Sequence, residues 1–435
     1  MYQARLQLSL CAFLRGVKHM RSIILYGKQS LALDIPPERF VGLLAPQAVK
    51  AVPDVRAAVR RSLAQPIESE ALAALAGRSK SVLIITVDNT RPSPEPMLQP
   101  IVDVCRDAGC QVTVMIATGR HRQMTGDELV AHLGERIMAT CRVLQHDAFD
   151  EQHMVEKGTT QRGTRIRVNS EIFAHDLVVG CGIIEPSYLC GWSGGRKLLM
   201  PGLAHHESID NNHYYLTQPG AETGRLHGNP VSDDALEFAA SLPLHFIVYA
   251  VSGPRDEVVE IVAGHPVKAH ERGCALCAPI YSVPRREADI VISSPGGWPY
   301  DLDLVQGKKA ILPASEVVRP QGTIILCAEC PDGHGAEPTF VDWLRNKTPQ
   351  QVVRDVRDRA LFTLGAHGAN ILARPIVEKG ARVILVTSAR LAEELAGSYI
   401  TAVTHIEEAW AMANRHAGPH SSVLCIESAR RLILC

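Results

Sequence analysis

Apolar runs separated by polar, glycine-rich turns set the rhythm of the chain. Ser81 to Val87 is almost continuous in aliphatic residues, many of them β-branched, which is the pattern of a parallel strand buried on both faces. It runs into Asp88-Asn89-Thr90-Arg91-Pro92. Pro96 to Ala108 predicts the following helix, and Cys110 to Ala117 the next strand, which delivers Thr118-Gly119-Arg120-His121-Arg122. A third buried run, Leu177 to Gly182, leads into Glu185-Pro186-Ser187 and then Ser193-Gly194-Gly195-Arg196-Lys197. Strand, polar loop and helix in alternation predict an α/β fold with mostly parallel sheets, whose ligands bind at the carboxyl ends of the strands.

The remaining periodicity fills in the frame. Met20 to Ile35 suits an opening hairpin, and Ala48 to Leu75 is helical with breaks at Pro53 and Pro66. Leu236 to Leu242 predicts a helix, His245 to Val251 a strand, and Ile261 to Cys277 helical stretches. Ile290 to Ser294, Gly322 to Ala328 and Arg382 to Thr387 predict the strands of a second unit. The expected organisation is two α/β domains with the site in the cleft between them. Residues 1–19 are an extension, 20–285 a large cofactor-binding domain, 286–412 a smaller domain, and 413–435 a segment packing back on the first.

Composition narrows the class of partner. The chain has 435 residues, 46% hydrophobic and 21% charged, with a net charge of −1, so it offers no global basic field for nucleic acid. Small molecules are the expected partners. No apolar stretch is long enough to span a membrane. Twelve cysteines are sparse for this length, and Cys181, Cys190 and Cys327 sit in apolar runs, as packed thiols do in a reducing compartment; a cytoplasmic protein is expected. Cys274/Cys277 and Cys327/Cys330 have zinc-type spacing within each pair, but the distance between pairs is long for a zinc ribbon. Coincidence is the preferred reading.

The central stretch carries the candidate chemistry. Glycines let a backbone turn its N–H groups toward an anion, and a lysine beside them can meet a phosphate or act as a nucleophilic amine. Taken singly, Ser-Gly-Gly is an ordinary turn, His213 a loop histidine, and Arg91, Gln306 and Lys309 solvated surface.

Five motifs in order, Asp88 to Pro92, Gly119 to Arg122, Ser193 to Lys197, His213, and Gln306-Gly307-Lys308-Lys309, resemble those of the nickel-dependent lactate racemase family, over about residues 20–430. That resemblance implies a nickel-pincer nucleotide, a pyridinium-3,5-bisthiocarboxylic acid mononucleotide, tethered covalently to Lys197, with His213 as a nickel ligand. It also implies partner enzymes that make the cofactor. The implied reaction removes the C2 hydride of a 2-hydroxy acid to give a planar 2-oxo acid and returns it to either face. His121 matches one catalytic base, and Arg91, Gln306 and Lys309 match residues near substrate and cofactor. Asp88, Arg91, Ser193, Gly194 and Gly195 suit the cofactor, with backbone amides for its phosphate.

One position departs from the family. Ten residues before Lys197, where a second catalytic histidine belongs, stands Ser187, and serine has no useful basicity near neutral pH unless another group activates it. Three replacements are open: an imidazole from His205 or His206, whose default is a surface loop; the phenol of Tyr188; or a proton path through substrate or water, with Ser187 making room for a larger 2-hydroxy acid. The expected function is a racemase or 2-epimerase of a 2-hydroxy acid. The alternatives are an oxidoreductase that releases the 2-oxo acid, and an impaired cofactor-binding protein.

Overall fold

The computed structural model describes residues 20–335 and 338–435, so the extension expected at residues 1–19 lies outside them. Two compact units divide the described residues, one formed by residues 49–280 and the other by residues 20–48 together with those from 281 to 435.

In the 49–280 unit, six strands lie in the order Val258–Gly264, Phe246–Ser252, Leu177–Ile184, Ser81–Thr86, Gln111–Ile116, Arg142–Gln145. All neighbours are parallel except the edge pair Phe246–Ser252 and Val258–Gly264. The two central strands are buried from end to end, or nearly so, which is why their sequences read as continuous apolar runs rather than alternating ones. Strand order grows outward in both directions from Ser81–Thr86 and Leu177–Ile184, so the chain reverses direction between these two, and the crevice at their carboxyl ends is where open α/β sheets bind ligands. Asp88 follows one of these strands and Glu185 the other.

The expected elements match, with shifts at their ends. The predicted helix after Pro53 is Val55–Ala64, with Asp54 accepting a hydrogen bond from the Ala57 N–H at its start, and a short helix, Leu72–Ala76, follows. The helix predicted to begin at Pro96 spans Glu95–Asp107. Ile261 to Gly264, expected as helical, belongs to the antiparallel edge strand, and its helix starts at Lys268. The β-branched residues of Val258-Val259-Glu260-Ile261-Val262 explain the strand.

The other unit also holds a six-stranded sheet, wholly parallel, in the order Thr401–Val403, Arg382–Val386, Val318–Cys327, Ala288–Ser293, Val423–Ile426, Phe40–Leu44. The hairpin Met20–Tyr26 with Gln29–Ile35 packs on it through Ile24, Tyr26, Leu33 and Ile35. This corrects the expected boundaries. Residues 20–44 and the C-terminal segment belong to this unit rather than the first, because Val423–Ile426 sits between Ala288–Ser293 and Phe40–Leu44 and bonds to both.

Among the described residues, no helix is long and apolar enough to cross a membrane. The Cys-x-x-Cys pairs fall in different units. Burial pushes the thiols of Cys274, Cys327 and Cys330 upward, away from the thiolate form that zinc requires.

Candidate active site

The loop after Ser81–Thr86 and the loop after Gln111–Ile116 meet at an aspartate–histidine pair. The Nδ1 of His121 lies 2.6 Å from Oδ2 of Asp88, and Thr90 donates its hydroxyl to the other carboxylate oxygen. Asp88 is buried, its side chain 5% exposed against 56% for His121. Burial works to raise the Asp88 carboxyl, but the His121 contact, with help from Thr90 and Arg91, holds it below the ordinary carboxylate range. An ionised Asp88 can accept from Nδ1–H, which leaves Nε2 as the other ring nitrogen for proton transfer. Asp88 is expected at the nucleotide; within the chain its oxygens meet His121 and Thr90.

The Leu177–Ile184 strand supplies the remaining parts. Glu185, buried at its end, takes Nε of Arg91 at 3.4 Å. The Ser193 hydroxyl accepts from the Glu185 N–H at 2.9 Å and donates to the Ile183 carbonyl at 3.1 Å, while the Ser193 N–H donates to the Glu185 carbonyl. Ser193, expected at the cofactor phosphate, therefore has both its side chain and its amide committed to clasping the turn. The next two residues differ: Gly194 and Gly195 have φ of +81° and +55°, and their N–H groups make no hydrogen bond among the described residues. A Cβ on Gly195 would stand 2.8 Å from Cγ of His270.

Lys197 follows in a short 3-10 turn, Gly195–Leu198. It has no carboxylate within ion-pair distance among the described residues. His213, on the helix His206–Tyr214, is pushed down to about 3, first by burial and then by the charges of Lys197 and Arg120, with the Ile209 backbone one turn back pulling the other way. Its Nδ1 is buried with no hydrogen-bond partner. A neutral imidazole with an orphaned ring nitrogen, beside an uncommitted lysine and two free glycine amides, fits a metal ligand, a covalent tether and a phosphate cradle respectively. The residues present therefore fit a nickel-bearing nucleotide.

Ser187 lies in the hairpin Pro186–Ser187 with Gly191–Trp192, its Oγ 3.7 Å from Sγ of Cys190. Two of the suggested replacements are engaged elsewhere. His205 is fully buried rather than a surface-loop residue: it caps the His206–Tyr214 helix and meets Glu151 and Arg167. His206 stacks on Phe149 at 4.7 Å. Burial raises the Tyr188 phenol to about 12, which makes it a poor base near neutrality. In the other unit, Lys309 donates to Oε1 of Gln306 and Asp303 caps their helix by accepting from the Gln306 N–H at 2.7 Å.

Sequence reasoning missed the supports. Arg196 runs to Ser232, His270 and the Cys190 carbonyl, and the Tyr249 hydroxyl donates to the Gly195 carbonyl at 3.1 Å. Arg120, paired with Asp210, adds a cation beside His213. Arg120 and Arg196 carried a signal, since each lies inside a motif already singled out.

Residues 26–224 match the model of the lactate racemase N-terminal domain, and residues 283–433 that of the lactate racemase C-terminal domain. The chain is 34% identical to the lactate racemase of Thermoanaerobacterium thermosaccharolyticum over 418 residues, covering 94% of this chain and 98% of that protein. It is 33% identical to the lactate racemase of Lactiplantibacillus plantarum over 321 residues, covering 72% and 75%. The structure of the Thermoanaerobacterium thermosaccharolyticum lactate racemase apoprotein superposes with a TM-score of 0.89, at 33% identity, over 96% of this chain and 100% of that one. A Thermotoga maritima protein shares the fold at a TM-score of 0.68 and 18% identity, over 87% and 98%. With both domains matched and relatives aligned over most of their length, the chain belongs to the lactate racemase family.

Proposed function

We propose that this protein is a nickel-pincer nucleotide-dependent racemase or 2-epimerase of a 2-hydroxy acid, lactate or a larger analogue. The observation that carries the reading is the Asp88–His121 pair at 2.6 Å, in the unit where Lys197 bears on an orphaned His213 imidazole. The bound cofactor supplies a reversible hydride acceptor. The chain's own residues do the rest. His121, oriented through Nδ1, takes the substrate hydroxyl proton at Nε2 as C2 becomes planar and gives it back on return. Arg91, braced by Glu185, presents its guanidinium to the substrate carboxylate. Lys197 tethers the nucleotide, His213 ligates nickel, and the Gly194 and Gly195 amides meet the phosphate. For Gln306 and Lys309 we propose a role toward the substrate on their match to family positions.

Ser187 makes the two substrate faces unequal, since a hydroxyl beside the Cys190 thiol is no proton acceptor at neutral pH. This lets kcat and KM differ between the two directions while their ratio stays equal for a pair of enantiomers, and it leaves release of the 2-oxo acid as the competing outcome. The test is co-expression with the cofactor's biosynthetic enzymes, then intact mass, nickel content, and turnover of enantiopure lactate and bulkier 2-hydroxy acids in ordinary and deuterated water. Lys197→Ala is expected to lose the mass adduct, and His213→Ala the nickel. An unmodified Lys197 after full co-expression would overturn the assignment, and stoichiometric 2-oxo acid with no enantiomer formed would shift it to the oxidoreductase.

A further inference from the structure

Behind the Ser193–Lys197 turn, in the 49–280 unit, lies a second cavity of about 190 Å³. Leu226, Leu236, Ala239, Leu242 and Val267 make much of its wall apolar, Arg196 lines it, and His227, His265 and Glu271 make the rest polar, the Glu271 carboxylate being held by Lys268 at 3.1 Å. Adjacent in sequence, Arg196 and Lys197 serve different surroundings: Lys197 bears on His213, whereas Arg196 bears on His270. Arg196 is 6% exposed, and no carboxylate lies within ion-pair distance of it among the described residues. A buried, always-charged group without a counter-ion is costly, and natural proteins ordinarily pair it.

Its hydrogen bonds leave an opening. Nε donates to the Ser232 carbonyl at 3.2 Å, one terminal nitrogen donates to Oγ of Ser232 at 2.5 Å and to the Cys190 carbonyl at 3.3 Å, and the other reaches Nδ1 of His270 at 3.4 Å. A guanidinium has about five N–H donors, so one is left over, together with the whole of the charge. The His270 ring cannot supply the missing anion. It donates from Nε2 to the Ser193 carbonyl at 2.8 Å, and its Nδ1 turns a neutral lone pair toward Arg196.

We infer that this cavity is a binding site for a small apolar monocarboxylate, with Arg196 taking the carboxylate and the leucine-lined walls taking the apolar body. An apolar cavity of about 150 Å³ is enough to hold benzene, so a phenyl ring or a short alkyl chain is accommodated. Because Arg196 also holds the Cys190 carbonyl and neighbours Lys197, occupancy of the cavity bears on the turn from behind, as an effector would. The inference is independent of the catalytic reading.

Apoprotein suffices to test it. Benzoate, titrated by calorimetry and by thermal unfolding, is expected to bind one site with a Kd at or below about 10 mM. Benzamide, which has the same ring without the charge, is expected to bind at least about tenfold more weakly. Ala239→Phe fills the cavity while leaving Arg196 in place, and is expected to abolish benzoate binding. Arg196→Lys is expected to weaken it by about tenfold or more, because an ammonium does not reproduce the fork. No benzoate binding, equal binding of benzamide, or benzoate binding that survives Ala239→Phe would each overturn the inference.

Discussion

His121 owes its direction to Asp88 rather than to its own loop. Removing the proposed base should lower turnover by about a hundred- to ten-thousandfold with cofactor loading intact. His121→Ala, assayed as loaded enzyme with the adduct mass checked in parallel, is the measurement. Asp88→Asn should retain His121 but favour the wrong tautomer, because an amide can donate to Nδ1 where the carboxylate only accepts. We expect it to lower kcat more than it raises KM, and a loss confined to KM would show that Asp88 touches substrate instead. Ser187→His is expected to shift preference toward small 2-hydroxy acids such as lactate and to bring the two directions of turnover closer together. It adds an imidazole and fills space, so a variant with unchanged substrate profile and unchanged ratio of directions would remove Ser187 from the site.

At the level of elements, the functional turn is a strained connection held from both sides. Gly194 and Gly195 have positive φ, and His270 on the helix Lys268–Tyr281 stands against them. Gly195→Ala therefore meets two penalties, the left-handed backbone, of order 1–2 kcal/mol, and a Cβ 2.8 Å from the His270 ring. Gly109 has φ of +84° with nothing within 4 Å of a Cβ, so Gly109→Ala meets only the first. Chemical denaturation of both variants should show the larger loss for Gly195→Ala, accompanied by poor cofactor loading that Gly109→Ala does not share. Equal losses would mean that the turn yields to His270 without strain.

Across the whole molecule, buried neutral histidines link stability to acidity. His146 is pushed down to about 4, first by burial, and His270 to about 3, by burial and then by the Arg196 charge. Both lie in the 49–280 unit. Their unfolded forms titrate near 6.5, so below that pH the unfolded chain binds more protons than the folded one. The stability they confer is complete above pH 6.5 and is lost as the pH falls toward 4, by up to about 1 kcal/mol per pH unit for each histidine. Urea unfolding of the apoprotein should give a midpoint that drops between about pH 7 and about pH 5. A midpoint that stays level over that interval would show that these rings gain compensating partners on protonation.

The local pattern by itself determined the α/β class, the buried strands Ser81–Thr86 and Leu177–Ile184, and the polar loops that end them, because burial on both faces demands an uninterrupted apolar run. Lys197, His121 and His213 became candidates only through the resemblance of their motifs to those of the lactate racemase family. Pairings between distant segments left no such trace. That Asp88 belongs to His121, that the Ser193 hydroxyl closes its own turn, and that His205 is buried on Arg167 and Glu151 were decided by the fold. The same holds for the unit to which Val423–Ile426 belongs, since a strand's sequence records how buried it is and not which neighbours bond to it. Arg196 shows the limit most plainly: in the sequence it is the residue before the lysine, and only tertiary packing sends its charge into a cavity lined by leucines.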